Sequence, residues 1–173
     1  MKYMQKKNIK NFALIVVVIF ISILALVGRK IDHLNEAYMR SEYINGTSPS
    51  LKIAGKIIML DVADNDILRS RGLSGRVGLQ EDQGMLFVFS AQGGSASGGD
   101  RTPRFWMKDM LFPIDIIWLD ENLKVIYIKK DARPESYPES FGPDAEALYV
   151  LEVTAGFSEK HNLQVGDRVE FLY

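Results

Sequence analysis

The sequence predicts a mainly β domain, a compact sandwich or barrel with one or two short helices, preceded by one N-terminal transmembrane helix. Three observations carry this. Short runs of strand-forming residues recur between Leu51 and Leu172 with turn formers between them. The stretch Arg104 to Asp120, RFWMKDMLFPIDIIWLD, crowds aromatics, methionines and charges into a strand-forming background. The N-terminus is basic and then continuously apolar.

Charge separates these parts. All 22 acidic residues of the 173-residue chain fall after position 30, with only 15 of its 21 basic ones, so the downstream part carries a net charge of −7. That balance opposes nucleic-acid binding, which needs clustered positive charge. The absence of cysteine excludes disulfides, thiolate catalysis and cysteine zinc sites. A Ser-His-Asp arrangement would need His161, since the only other histidine, His33, lies close to the apolar N-terminus.

Residues 1–11 form a basic start with Lys2, Lys6, Lys7 and Lys10, and residues 12–28 form the anchor, interrupted only by Ser22 before Gly28. The run from Phe12 to Val27 spans roughly 24 Å, and snorkelling of Lys10 and Arg29 extends it toward the roughly 30 Å hydrocarbon core. A cleaved signal peptide would want small residues at its exit, and Val27 is bulky. The expectation is therefore an uncleaved single-pass anchor, with the lysines cytoplasmic and the acidic domain outside the membrane. Residues 29–50 read as a stalk and linker. Ile31, Leu34 and Tyr38 keep helical spacing, and the turn formers Asn45 to Ser50 end it.

The domain, residues 51–173, opens with strand signals at Leu51–Ile53 and Lys56–Val62. Asp64, Asn65 and Asp66 then offer caps for a short helix ending near Gly72 or Gly75. Gly84 opens a buried strand from Met85 to Phe89, and Ala91 to Pro103 is a Gly/Ser loop. Pro113 starts a strand in which Ile114, Ile116 and Trp118 share one face and Asp115, Ile117 and Leu119 the other. Asp115 sits among apolar neighbours and so needs an arginine, a lysine or several backbone amides. Before it, Phe105 and Met107 face one way, Trp106 and Lys108 the other. Asp120-Glu121-Asn122 turns the chain into a return strand, Lys124–Lys129, with Asn122 expected in the left-handed conformation. Residues 131–145 carry three prolines and read as a long covering loop; Ala147–Val153 and Arg168–Leu172 are strands around a short helix at Ala155–His161.

Several segments together resemble one family. Arg71-Gly72-Leu73 with Arg76, Gly84 to Phe89, Phe105 to Lys108, Pro113 to Ile117, Val150-Leu151-Glu152 with Ala155-Gly156, and Val165-Gly166-Asp167 are similar in order and spacing to domain of unknown function 192. The resemblance covers about Lys56 to Leu172. It implies a domain of the jelly-roll class, often secreted or anchored in prokaryotes. It transfers no catalytic residue, because the family has no established activity. The chain departs from the pattern at Asp109-Met110 and in the glycine-rich stretch before Arg101, both beside the candidate site.

The residues point first to a binding module for a small anionic ligand, with Arg71, Arg76, Arg104, Trp106, Lys108 and Asp115 as candidate site residues. Arginine forks match carboxylates and phosphates, and Trp106 offers a stacking face. Catalytic residues, metals and cofactors are not assigned. Two alternatives remain: hydrolysis by Asp109 and Asp115 as an acid and base pair, and a Cu(I) site from Met85, Met107 and Met110.

Overall fold

The computed structural model describes residues 49–89 and 102–172, together with Val18, Phe20, Ser22, Leu26 and Lys30. The chain divides into two units, Met1–Thr47 and Ser48–Tyr173. In the first, the five described residues are helical and exposed, and the Ser22 hydroxyl donates to the Val18 carbonyl at 2.9 Å. The rest of the expected anchor, the basic start and the stalk lie outside the described residues. Among the described residues no helix is long and apolar enough to cross a membrane.

The second unit is mainly β with two short helices. Strands β1 (Ser50–Ile53) and β2 (Lys56–Ala63) form a hairpin whose two turn residues, Ala54 and Gly55, both have positive φ. Helix α1 (Asp66–Arg71) starts where the Asn65 side-chain Oδ1 accepts from the Leu68 amide, and ends at Gly72, whose φ is +51°. Strand β3 (Gln83–Val88) follows, then the short β4 (Phe105–Trp106), β5 (Ile114–Leu119) and β6 (Val125–Ala132). After a 3-10 turn at Pro134–Ser136 come β7 (Ser140–Phe141), β8 (Tyr149–Thr154), helix α2 (Phe157–Lys160) and β9 (Glu170–Leu172).

Seven strands make one curled, half-barrel sheet in the order β6-β5-β8-β3-β2-β1-β9, while β4 and β7 pair separately. Its two outer strands are linked around the curl. The Val125 amide donates to the Asp167 carbonyl and the Val169 amide to the Leu123 carbonyl, beside a bridge between Lys124 and Arg168. Side-chain alternation then gives each face its own core. Inside the curl, Leu51, Ile58, Leu60, Leu86, Ile117, Leu151, Val153 and Phe157 pack together. On the other face, Ala63, Met85, Phe87, Ile114, Ile116, Trp118 and Val150 are covered by Leu73, Met107, Met110 and Phe141. Strand β5 lies in both layers, which is why all six of its residues are buried.

Asp115 faces the inside of the curl and is fully buried. Its Oδ1 accepts from the Asp131 and Gly156 amides at 2.9 and 3.1 Å, and its Oδ2 from the Ser158 amide at 2.8 Å. The expected partner is thus a set of backbone amides rather than a cation. The same bonds explain an irregularity in the ladder. Between the pairs Ile114–Ala132 and Ile116–Lys129 the β6 strand carries one residue too many, and Asp131 has φ +47° with its amide turned to the carboxylate.

Two local expectations are corrected. Leu123, not Asn122, takes the left-handed conformation, because the Asp120 Oδ1 accepts from both the Asn122 and Lys124 amides while Leu123 packs against the inner core. The stretch 131–145 is not all loop: β6 runs on to Ala132, and Ser140–Phe141 forms a strand because β4 offers it an edge. The sheet also contains one parallel pair, β2 with β3, made possible by the crossover through α1.

Candidate functional site

Trp118 decides where the candidate residues go. Buried in β5, it donates its indole N–H to the Pro103 carbonyl at 2.8 Å and meets the Phe105 ring edge-on at 5.7 Å. Phe105 also packs on Phe87 at 4.8 Å, and Met107 is buried in the same layer. With Phe105 and Met107 facing the sheet, alternation turns Trp106 and Lys108 outward, as the sequence predicts. Trp106 is 59% exposed. Its ring meets Tyr137 edge-on, with centroids 6.5 Å apart. Lys108 is exposed and has no ion pair among the described residues.

The arginines differ in what they are free to do. Arg104 donates to the Gly142 and Ser140 carbonyls at 3.0 and 3.1 Å, so its fork ties β4 to the chain around β7. Arg71 is exposed on the last turn of α1 and makes no ion pair among the described residues. Arg76 pairs with Asp61 of β2, Nη1 to Oδ2 at 2.6 Å, with both side chains partly exposed. Its loop is joined to the Lys108 segment by two bonds. The Ser74 hydroxyl donates to the Lys108 carbonyl at 3.1 Å and the Gly75 amide to the Asp109 carbonyl at 2.9 Å. Arg76 and Lys108 therefore stand on two tethered loops, with Trp106 two residues away; Asp115 belongs to the opposite face of the sheet.

A residue not singled out in the sequence lies beneath Arg76. Across the sheet, Asp61, Met85, Glu152 and Ile116 are successive register partners, so their side chains share the outer face. Glu152 is only 5% exposed, and its Oε2 has no hydrogen-bond partner among the described residues. Burial pushes its carboxyl up to about 8, against the smaller opposing field of Arg76. At neutral pH it is a carboxylic acid, able to donate a hydrogen bond. The signal was present as a lone acid within Ala147 to Val153, the same pattern that marks Asp115.

The alternative chemistries find less support. Asp109 is exposed on the covering segment, whereas the Asp115 carboxylate is fully buried on the inner face and engaged by three amides. The two do not form an acid and base pair across a cleft. Met85, Met107 and Met110 do meet in the outer apolar layer, each nearly or fully buried, as packing alone requires. The His161 ring lies against Phe157 at 4.7 Å, beside a shallow hollow of about 230 Å³ where Lys160 pairs with Glu81.

The proton on Glu152 has a consequence for stability. The folded chain keeps it up to about pH 8, while the unfolded chain releases it in the ordinary carboxyl range, so stability falls as pH rises through that window and levels off above it. Glu152→Gln has no such proton to lose. Its stability relative to wild type should rise by roughly 1 to 3 kcal/mol between pH 5 and pH 8, measured by urea denaturation. A difference that stays constant over this range would show that Glu152 titrates normally.

Comparison with known proteins agrees with the fold. A protein of unknown function from Novosphingobium aromaticivorans DSM 12444 is similar at 24% identity, over 71% of this chain and 83% of that one, with a TM-score of 0.61. A proposed transcription regulator from Sinorhizobium meliloti 1021 is similar at 27% identity, over 71% of this chain and 91% of that one, with a TM-score of 0.60. No curated protein matches the chain. The model of DUF192, described as an uncharacterized ACR, matches residues 50–171, and the chain belongs to this family.

Proposed function

We propose that the domain is a non-enzymatic binding module for a small anionic ligand, held outside the cell by its N-terminal membrane anchor. The observation that carries the reading is Trp106: a large aromatic, exposed yet held in place by a short strand, the Tyr137 ring and the buried Trp118–Pro103 bond just before it. An exposed tryptophan beside an unpaired lysine suits a ligand with a flat body and a negative group. Arg76, on the loop tethered to Lys108, adds a guanidinium fork. The transcription-regulator description of the Sinorhizobium protein finds no counterpart in a domain whose residues 51–173 carry 19 acidic and 14 basic side chains.

Trp106→Ala and Lys108→Ala should keep the wild-type melting temperature, because neither side chain is core, and each should weaken binding of benzoate and phenyl phosphate, flat anions, several-fold. The readout is the shift of the Gly75 and Lys108 backbone amide resonances on titration, with the Trp106 indole N–H followed as well in wild type and in Lys108→Ala. An early-melting Trp106→Ala, or an indole resonance that neither anion moves, would overturn the proposal. For the anchor, N-terminal sequencing of the membrane fraction should find the chain starting at Met1 or Lys2. A mature start near Gly28 would show cleavage instead.

A further inference from the structure

We propose that the ligand is a small carboxylate recognised by Arg76 and Glu152 together, the guanidinium through the edge that Asp61 leaves unoccupied and the Glu152 carboxyl through its unpartnered oxygen. This rests on the anion-binding reading above and narrows it. A buried polar atom without a partner costs about 1 to 3 kcal/mol, so Glu152 Oε2 marks a position that a ligand group would relieve. Asp61 engages Nη1 of Arg76, and the other edge of the fork has no partner among the described residues. Asp61 and Glu152 lie two strands apart in one register row, roughly 10 Å, with the Met85 side chain between them, a distance that the arginine side chain and a carboxylate seated over Met85 together can span.

The chemistry favours a carboxylate over a phosphate. A neutral carboxylic acid in apolar surroundings acts as a hydrogen-bond donor to an oxyanion, and it has one proton to give. A planar carboxylate can take two bonds from the fork and one from the acid. The more strongly hydrated phosphate would lose more on entering a wall made by Met85 and Ile116. Among the described residues, the charged groups on this face of the sheet are Asp61 on β2, Arg76 on the loop after α1 and Lys129 on β6, and the covering segment carries Lys108 and Asp109, both exposed. Only the field of Arg76 reaches the Glu152 carboxyl, whereas the Lys129 ammonium lies 4.3 Å from the centre of the Phe141 ring. Met107 and Met110, from the covering segment, bring no charge.

The test is a titration of the full chain in detergent micelles with acetate and, separately, inorganic phosphate, following the backbone resonances of Gly75, Arg76 and Met85. Wild-type affinity for acetate should fall about tenfold from pH 7 to pH 9, as Glu152 loses its proton near pH 8 and ceases to donate. Glu152→Gln should bind acetate with no such dependence, because its amide donates at every pH. Arg76→Ala should lose at least tenfold at both. Acetate binding in wild type that is equal at pH 7 and pH 9, an unchanged pH dependence in Glu152→Gln, or tighter binding of phosphate than acetate would overturn the inference while leaving the anion site standing. No response of wild type to either anion at any pH would overturn both.

Discussion

A carboxylate with no access to water sits at the join between three parts of the sheet. Asp115 belongs to β5, and its oxygens take amides from the β6 bulge and from the turn that leads out of β8 into α2. Each of those amides would otherwise lack an acceptor in the places where the chain leaves regular pairing. The carboxylate supplies it. Removing a charge from water costs several kcal/mol unless bonds replace the hydration, and three charge-assisted bonds do so here. Strand β5 in turn separates the two apolar layers, so its placement decides where Trp118 lies and hence where Phe105 and Trp106 are held.

Glu152 shows the same residue chemistry with the opposite outcome. It is buried in the neighbouring strand, on the other face, and among the described residues no backbone amide reaches its Oε2. Asp115 keeps its partners because the chain turns around it, at strand ends where amides are free. Glu152 lies within β8, where the ladders to β3 and β5 have already used the backbone. The one side chain whose field opposes the burial, Arg76, is shared with Asp61. A buried acid left neutral beside a half-free guanidinium is costly to the fold, and it is the kind of local conflict that functional sites retain.

Much of this was legible in the sequence because it follows from period-two alternation. Ile114 to Leu119 read as buried on both faces and Phe105 and Met107 as inward, while turn chemistry offered a short helix capped within Asp64 to Asp66 and ending near Gly72 or Gly75. What alternation cannot give is the partner. The pairing of β2 with β3 in parallel, the edge that turns Ser140–Phe141 into a strand, and the pairing of Arg76 with Asp61 all depend on residues distant in sequence. Leu123 was missed for a related reason: its positive φ is held by Asp120 and by packing, against its own preference. Of the six candidate site residues, Arg104 is tied to backbone carbonyls and Asp115 to amides, while Arg76, Trp106 and Lys108 remain presented outward or beside the unpartnered acid.

The central claim is that the Asp115 carboxylate, rather than apolar packing alone, fixes the junction of β5, β6 and α2. The most direct measurement is the unfolding free energy of Asp115→Ala, with amide hydrogen exchange at Asp131, Gly156 and Ser158. The account expects a loss of about 2 to 4 kcal/mol, because one buried and two part-buried donors are stranded, and exchange at those three amides that becomes faster than at the rest of β5 and β8. Unchanged stability, with the three amides still protected, would contradict it.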